Sequence, residues 1–178
     1  GEFLKGGIGD HLPSGLSIGI QLHRHIDAYT DGHELIIRLK SEFNYPLRRY
    51  AGILIDLCFD YYLSKNWEAF SSLSLTAFAS EILVQLEKNQ SLLSCKAHEM
   101  SVYLRKYNLL ENFINWEQVL MSAYSTGKRL KVEHLFVDIE RTLDPLDSKL
   151  EATFMAFYPE LIERSSNFLL QQAYIRST

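Results

Sequence analysis

A chain of 178 residues, 47% hydrophobic and 22% charged, has enough apolar surface for one folded domain over residues 1–178, which excludes intrinsic disorder as its main state. The formal net charge of −4 excludes a generic nucleic-acid binder, whose footprint is basic, and leaves room only for local basic patches. Two cysteines, Cys58 and Cys95, form no CxxC pair and are too few for a disulfide scaffold, so a reducing cytoplasm is the expected setting.

Proline is scarce, and the apolar spacing is helical nearly throughout, with no alternation long enough to argue for a sheet. Pro13-Ser14-Gly15 reads as a loop leading into a helix over 16–30. Asp31 can cap a short second helix that ends near Asn44-Tyr45-Pro46. Pro46 suits the first turn of a long helix reaching about Asn66. Its apolar run, Ala51 to Leu63, is broken by Asp56 and Asp60 and cannot span a bilayer; no signal peptide is evident. Further helices are expected over 75–90, 95–107, 116–126, 130–143, 147–157 and 160–175. Asn115 with Gln118 has the form of a capping box, and Gly127 that of a C-terminal cap. Asp144-Pro145 and Tyr158-Pro159 punctuate the last third. The expected class is all-α.

Two helices carry ionisable residues on faces that otherwise read as buried. In the first, Ile18, Leu22, Ile26 and Tyr29 form an apolar stripe, and Leu16, Ile20, His23, Asp27 and Thr30 lie on a second face about 100° round. His23 and Asp27 are one turn apart, so both side chains can reach one point. A His–Asp hydrogen bond, a solvated helix face and a shared ligand all fit that spacing. In the second helix, Asp56 and Asp60 share a face with Arg49, Gly52, Leu63 and Trp67. Two like charges one turn apart repel, and burying them unpaired is costly, so they need a counter-charge. Arg49 or Arg48 can supply it; so can a metal ion shared with His23 and Asp27. Carboxylate oxygens with one imidazole suit Mn²⁺ or Mg²⁺ better than structural Zn²⁺.

Other chemistry finds less support. His11, His25, His33, His98 and His134 have no partner at diagnostic spacing and read as surface or supporting residues. There is no GxSxG, Walker loop or GxGxxG. Phe154, Phe157 and Tyr158 read as core rather than as a stacking platform.

Four segments together resemble the acyl carrier protein phosphodiesterase family. Gly1-Glu-Phe-Leu-Lys-Gly6 resembles its G-[DE]-F-x-[KR]-G element. Gly19-Ile-Gln-Leu-His-Arg-His-Ile-Asp-Ala-Tyr-Thr-Asp31 resembles its G-I-x-x-H-R-x-I-D-x-x-T-D motif. Arg48-Arg49 followed by Asp56-Leu-Cys-Phe-Asp60 is similar to its R-R…D-x-x-x-D helix, and Phe154-Met-Ala-Phe-Tyr-Pro159 to its F-x-x-F-Y-P ending. The resemblance runs over nearly the whole chain in the right order.

It implies a helical fold like that of HD phosphohydrolases and a divalent metal, commonly Mn²⁺ with Mg²⁺ as the alternative. The implied reaction releases 4′-phosphopantetheine from the serine of holo-acyl carrier protein. By motif position His23, Asp27 and Asp56 are the leading ligand candidates, with Glu2 standing where the family more often has Asp. Asp60 is implied as a further ligand or a supporting group, and Arg24 as a phosphate contact; the mechanism expected on this basis has Asp60 orient or deprotonate the attacking water and Arg24 or Arg49 meet the phosphoryl oxygens. Acyl carrier proteins are typically acidic, so Lys128, Arg129 and Lys131 form the candidate carrier-binding cluster. The family usually opens with an M-N-[FY]-L-A-H-like segment, whose histidine is absent from this chain. Two rival expectations stand beside this one: a phosphohydrolase of a nucleotide or other small phosphoester on the same chemistry, and an inactive helical protein that only binds a carrier.

Overall fold

The structure is a computed structural model that describes residues 13–177. In chain order the helices are α1 (Ser14–Gly32), α2 (Glu34–Ser41), α3 (Ala51–Lys65), α4 (Trp67–Phe70), α5 (Leu75–Lys88), α6 (Cys95–Lys106), α7 (Leu109–Asn112), α8 (Trp116–Arg129), α9 (Ile139–Leu143) and α10 (Asp147–Ser177). Short 3₁₀ turns precede or join several of them, and no strand occurs among the described residues, so the all-α expectation holds.

The described residues fall into two compact units, one comprising residues 13–42 and 152–177 and the other residues 43–151. In the first, Ile36 and Leu39 of α2 and Phe154 and Phe157 of α10 are buried, as the core reading of the two phenylalanines requires. The turn between α1 and α2 differs from expectation. Asp31 lies inside the last turn of α1, and His33 caps α2 instead, its Nδ1 accepting the Leu35 N–H at 3.3 Å.

In the second unit α3 and α9 both pack on α8, while α5, α6 and α7 pack on one another. The buried apolar residues of α3 are Ala51, Leu54, Ile55, Cys58 and Tyr62, which one-turn spacings of three and four, with Leu54 and Ile55 adjacent, bring to one side. The Tyr62 hydroxyl is anchored on Asp147, donating to Oδ1 at 2.6 Å, and burial with that acceptor raises its pKa. Pro46 does not enter the first turn of α3; it stands ahead of a 3₁₀ turn, Leu47–Tyr50, that runs into the helix. Ser74 and Ser94 cap α5 and α6, accepting the Ala77 and Ala97 amides.

Three expectations about helix ends fail. Asn115 occupies the N-cap position of α8 but makes no capping bond with its side chain: the Gln118 N–H goes to the Asn115 backbone oxygen at 2.9 Å, and the Gln118 side-chain amide, the other half of the box, donates to Ser122 Oγ at 3.0 Å. Gly127 lies inside α8. The true C-terminal stop is Lys131 at φ 59, with Val132 N–H bonding Gly127 O at 2.9 Å and Lys131 N–H bonding Lys128 O at 3.0 Å, the paired bonds of a Schellman motif. That left-handed residue ends the helix expected over 130–143, leaving a 3₁₀ turn at Glu133–Leu135 and the short α9. Finally, Pro159 does not divide the last helix: α10 runs unbroken from Asp147 to Ser177. Proline removes one i→i−4 bond, here to the Met155 carbonyl, and the helix continues through that single loss.

Candidate functional site

The first pair forms as its spacing requires. On α1, His23 Nδ1 lies 3.5 Å from Asp27 Oδ1, one turn apart in a continuous helix. The face is open rather than buried: the two side chains are 48% and 54% exposed, and no residue of α1 is fully buried. Arg24, next in the motif, is also exposed.

The second pair lies on α3. Asp56 and Asp60 stand away from the buried row, and both side chains reach solvent, so the face they share is more open than its sequence suggests. The run looked apolar all round because Ile53, Leu57, Phe59, Tyr61 and Leu63 are apolar, yet each of these is only half-buried. Asp60 is open to water on one side and crowded by protein on the others. Desolvation first, and repulsion from Asp56 second, lift its carboxyl from 3.8 to about 7. Such a group exchanges its proton near neutral pH. Arg48 and Arg49 are exposed in the turn that leads into α3.

The Asp60 shift has a measurable consequence. Because its folded pKa is raised, the native state holds a proton that the unfolded state gives up between 3.8 and about 7, so stability falls as pH rises through that window. Asp60→Asn removes the penalty. In metal-free protein it should raise stability at pH 8 by about 1–2 kcal/mol, after discounting the shift for the residue's exposure, and by nothing at pH 4. Urea unfolding at the two pH values checks this; a gain independent of pH would contradict it.

Cys58 is excluded as a nucleophile. Burial, with the charges of Asp147 and Asp60, pushes its thiol up to about 12, so no thiolate forms at neutral pH. The basic cluster is exposed: Lys128, Arg129 and Lys131 lie at and just beyond the end of α8, with Lys128 Nζ 4.8 Å from the centre of the Tyr124 ring. Glu2 and His11 lie outside the described residues.

Sequence reasoning missed a cluster around the end of α1. His33 has no partner at diagnostic spacing and reads from sequence as a surface or supporting residue, but its side chain is 14% exposed, and its Nε2 meets Glu160 Oε2 at 3.2 Å. Tyr29 donates to the same oxygen at 3.2 Å, and Arg164 lies over the Tyr29 ring at 5.1 Å. His25 stacks on Phe168, centroids 4.9 Å apart. The contacts join residues more than 120 positions apart, which no local spacing reveals.

Among the described residues, no three His, Cys, Asp or Glu side chains are gathered to hold a metal ion. The donor types, one imidazole and three carboxylates, are those a hard divalent cation takes. The described residues present them as two pairs, each short of a complete ligand set.

The profile of the acyl carrier protein phosphodiesterase family matches residues 1–161. The chain is 29% identical to the acyl carrier protein phosphodiesterase of Photorhabdus laumondii over 171 residues, covering 93% of this chain and 84% of the relative. Proteins of the same name from Yersinia enterocolitica and Serratia proteamaculans are 27% and 25% identical, each match covering 93% of this chain and 86% of the relative. No solved structure matches. No helix among the described residues is long and apolar enough to cross a membrane.

Proposed function

This chain belongs to the acyl carrier protein phosphodiesterase family, and from that premise we propose that it hydrolyses the phosphodiester of holo-acyl carrier protein, releasing 4′-phosphopantetheine and leaving the apo-carrier. The observation that carries the reading is the family match over residues 1–161, inside which the family's H-R-x-I-D string folds as one helix with His23 and Asp27 side by side. We propose that His23, Asp27 and Asp56 bind a divalent cation, Mn²⁺ before Mg²⁺, with Glu2 as a further candidate. A bound divalent cation supplies positive charge for a phosphoryl oxygen and a water acidified toward neutrality.

The chain's own residues supply the rest. Asp60, one turn beyond Asp56, orients the attacking water and takes its proton. Arg24 or Arg49 meets the phosphoryl oxygens with the paired N–H groups of a guanidinium, which match a phosphate better than a point charge does. Mass spectrometry of holo-acyl carrier protein incubated with the chain and Mn²⁺ tests the reading. Loss of the phosphopantetheine mass supports it; an intact carrier alongside hydrolysis of a nucleotide would replace it with a small-phosphoester reaction.

The carrier is acidic, and Lys128, Arg129 and Lys131 are the proposed docking face. Complementary charge chiefly speeds encounter, and salt screens it over about 10 Å at 0.1 M. Reversing all three to Glu should lower kcat/KM on the carrier about tenfold at low salt, and much less at 0.5 M salt. An equal loss at both salt concentrations would remove this face from docking.

A further inference from the structure

We infer that Glu160 is a positioning residue for the reaction, a clamp that fixes the helix bearing His23 and Asp27; this rests on the proposed phosphodiesterase reading. Helix α1 has no fully buried residue, so apolar packing alone holds it weakly. Its C-terminal end is instead fastened to α10 through one carboxylate oxygen. Glu160 Oε2 receives the Tyr29 hydroxyl at 3.2 Å and faces His33 Nε2 at 3.2 Å.

The second of these bonds has a defined direction. His33 Nδ1 accepts the Leu35 N–H at 3.3 Å, so in the neutral ring the proton sits on Nε2 and is donated to Glu160. One oxygen thus ties α1, through Tyr29, and the start of α2, through His33. Phe157, one turn before Glu160 on α10, fills the space beneath, with ring centroids 4.9 Å from His33 and 6.0 Å from Tyr29. Arg164, one turn after Glu160, lies over the Tyr29 ring at 5.1 Å. Residues 157, 160 and 164 make one stripe of α10 at helical spacing, aimed at the end of α1. Asp27 is two residues from Tyr29, so loosening the clamp frees the turn that presents the His23–Asp27 pair. A small misplacement of a reacting group is enough to cost a large factor in rate.

The test compares Glu160→Ala, Glu160→Gln and Tyr29→Phe in the full chain. Two readouts are used: turnover of holo-acyl carrier protein, split into kcat and KM, and hydrogen exchange of the amides of residues 23–31. Glu160→Ala should lower kcat about tenfold with KM little changed and speed exchange in that segment. Glu160→Gln, whose amide oxygen can accept both donors, should restore kcat to within about twofold of wild type. Tyr29→Phe keeps the ring and removes one donor, and should fall between them. Wild-type kcat in Glu160→Ala overturns the proposal, as does a Gln variant as impaired as Ala. If the wild-type chain itself releases no phosphopantetheine, the phosphodiesterase reading fails, and exchange decides the clamp: equal rates in wild type and Glu160→Ala overturn it.

Discussion

Replacing His23 or Asp56 with alanine should lower the rate of phosphopantetheine release about a hundredfold or more while leaving the unfolding midpoint nearly unchanged. Loss of a positioned acid, base or ligand group costs this much in the chemical step. His23 is 48% exposed and Asp56 is exposed, and substitutions at open sites away from the core usually change stability by no more than about 0.5 kcal/mol. A large loss of rate without a loss of stability is therefore the signature of a functional role. Turnover by mass spectrometry, Mn²⁺ binding by calorimetry and thermal unfolding should be measured on the same samples. Unchanged Mn²⁺ binding and turnover in both variants would remove these residues from the mechanism. A loss in Asp56→Ala alone would move the site's centre to α3 and make the His23–Asp27 contact a feature of the helix surface.

The largest expected effect on stability lies at Gly127. It is buried on the face of α8 that also buries Val119 and Ala123, at spacings of four. A Cβ there would stand 2.9 Å from Phe136 Cδ2, 3.0 Å from its Cγ and 3.2 Å from the backbone Cα of Glu133. Phe136 is 1% exposed and stacks edge-on with Tyr50, so its ring has nowhere to move, and the Glu133 contact is to main chain. Alanine gains about 1 kcal/mol in helix propensity over glycine, which offsets part of the clash. Valine adds two methyls and a branched Cβ, and overpacking of that kind costs about 1–3 kcal/mol. Gly127→Val should therefore destabilise the protein by roughly 2–3 kcal/mol and Gly127→Ala by less. Denaturant midpoints check the order; a valine variant as stable as wild type would mean that the strand of chain after α8 does not lie this close.

The helices themselves were mostly legible in the sequence. Apolar residues recurring every three or four positions marked α1, α3, α5, α6 and α8 to within a few residues, because helix formation depends on neighbours one turn away. The punctuation was less legible. Gly127 and Lys131 exchanged roles: a glycine close to a helix end suggests a cap, but here the missing side chain serves the approach of Phe136, and a lysine takes the left-handed turn. Pro159 reads as a break on propensity alone, yet α10 continues through it. A proline costs about 3 kcal/mol within a helix, an amount that tertiary packing of residues such as Phe154 and Phe157 can exceed.

The same division holds for the candidate site. From spacing alone the sequence determined that His23 and Asp27 meet, and that Asp56 and Asp60 stand one turn apart, since a helix places residues i and i+4 together wherever it lies. The order of its motifs also determined the family. Only the tertiary structure decided which of these groups face water, that crowding raises the Asp60 carboxyl, and that Glu160 gathers Tyr29 and His33 from far along the chain. Burial and desolvation depend on what packs against a residue, and its packing partners are chosen by the whole fold rather than by its neighbours in sequence.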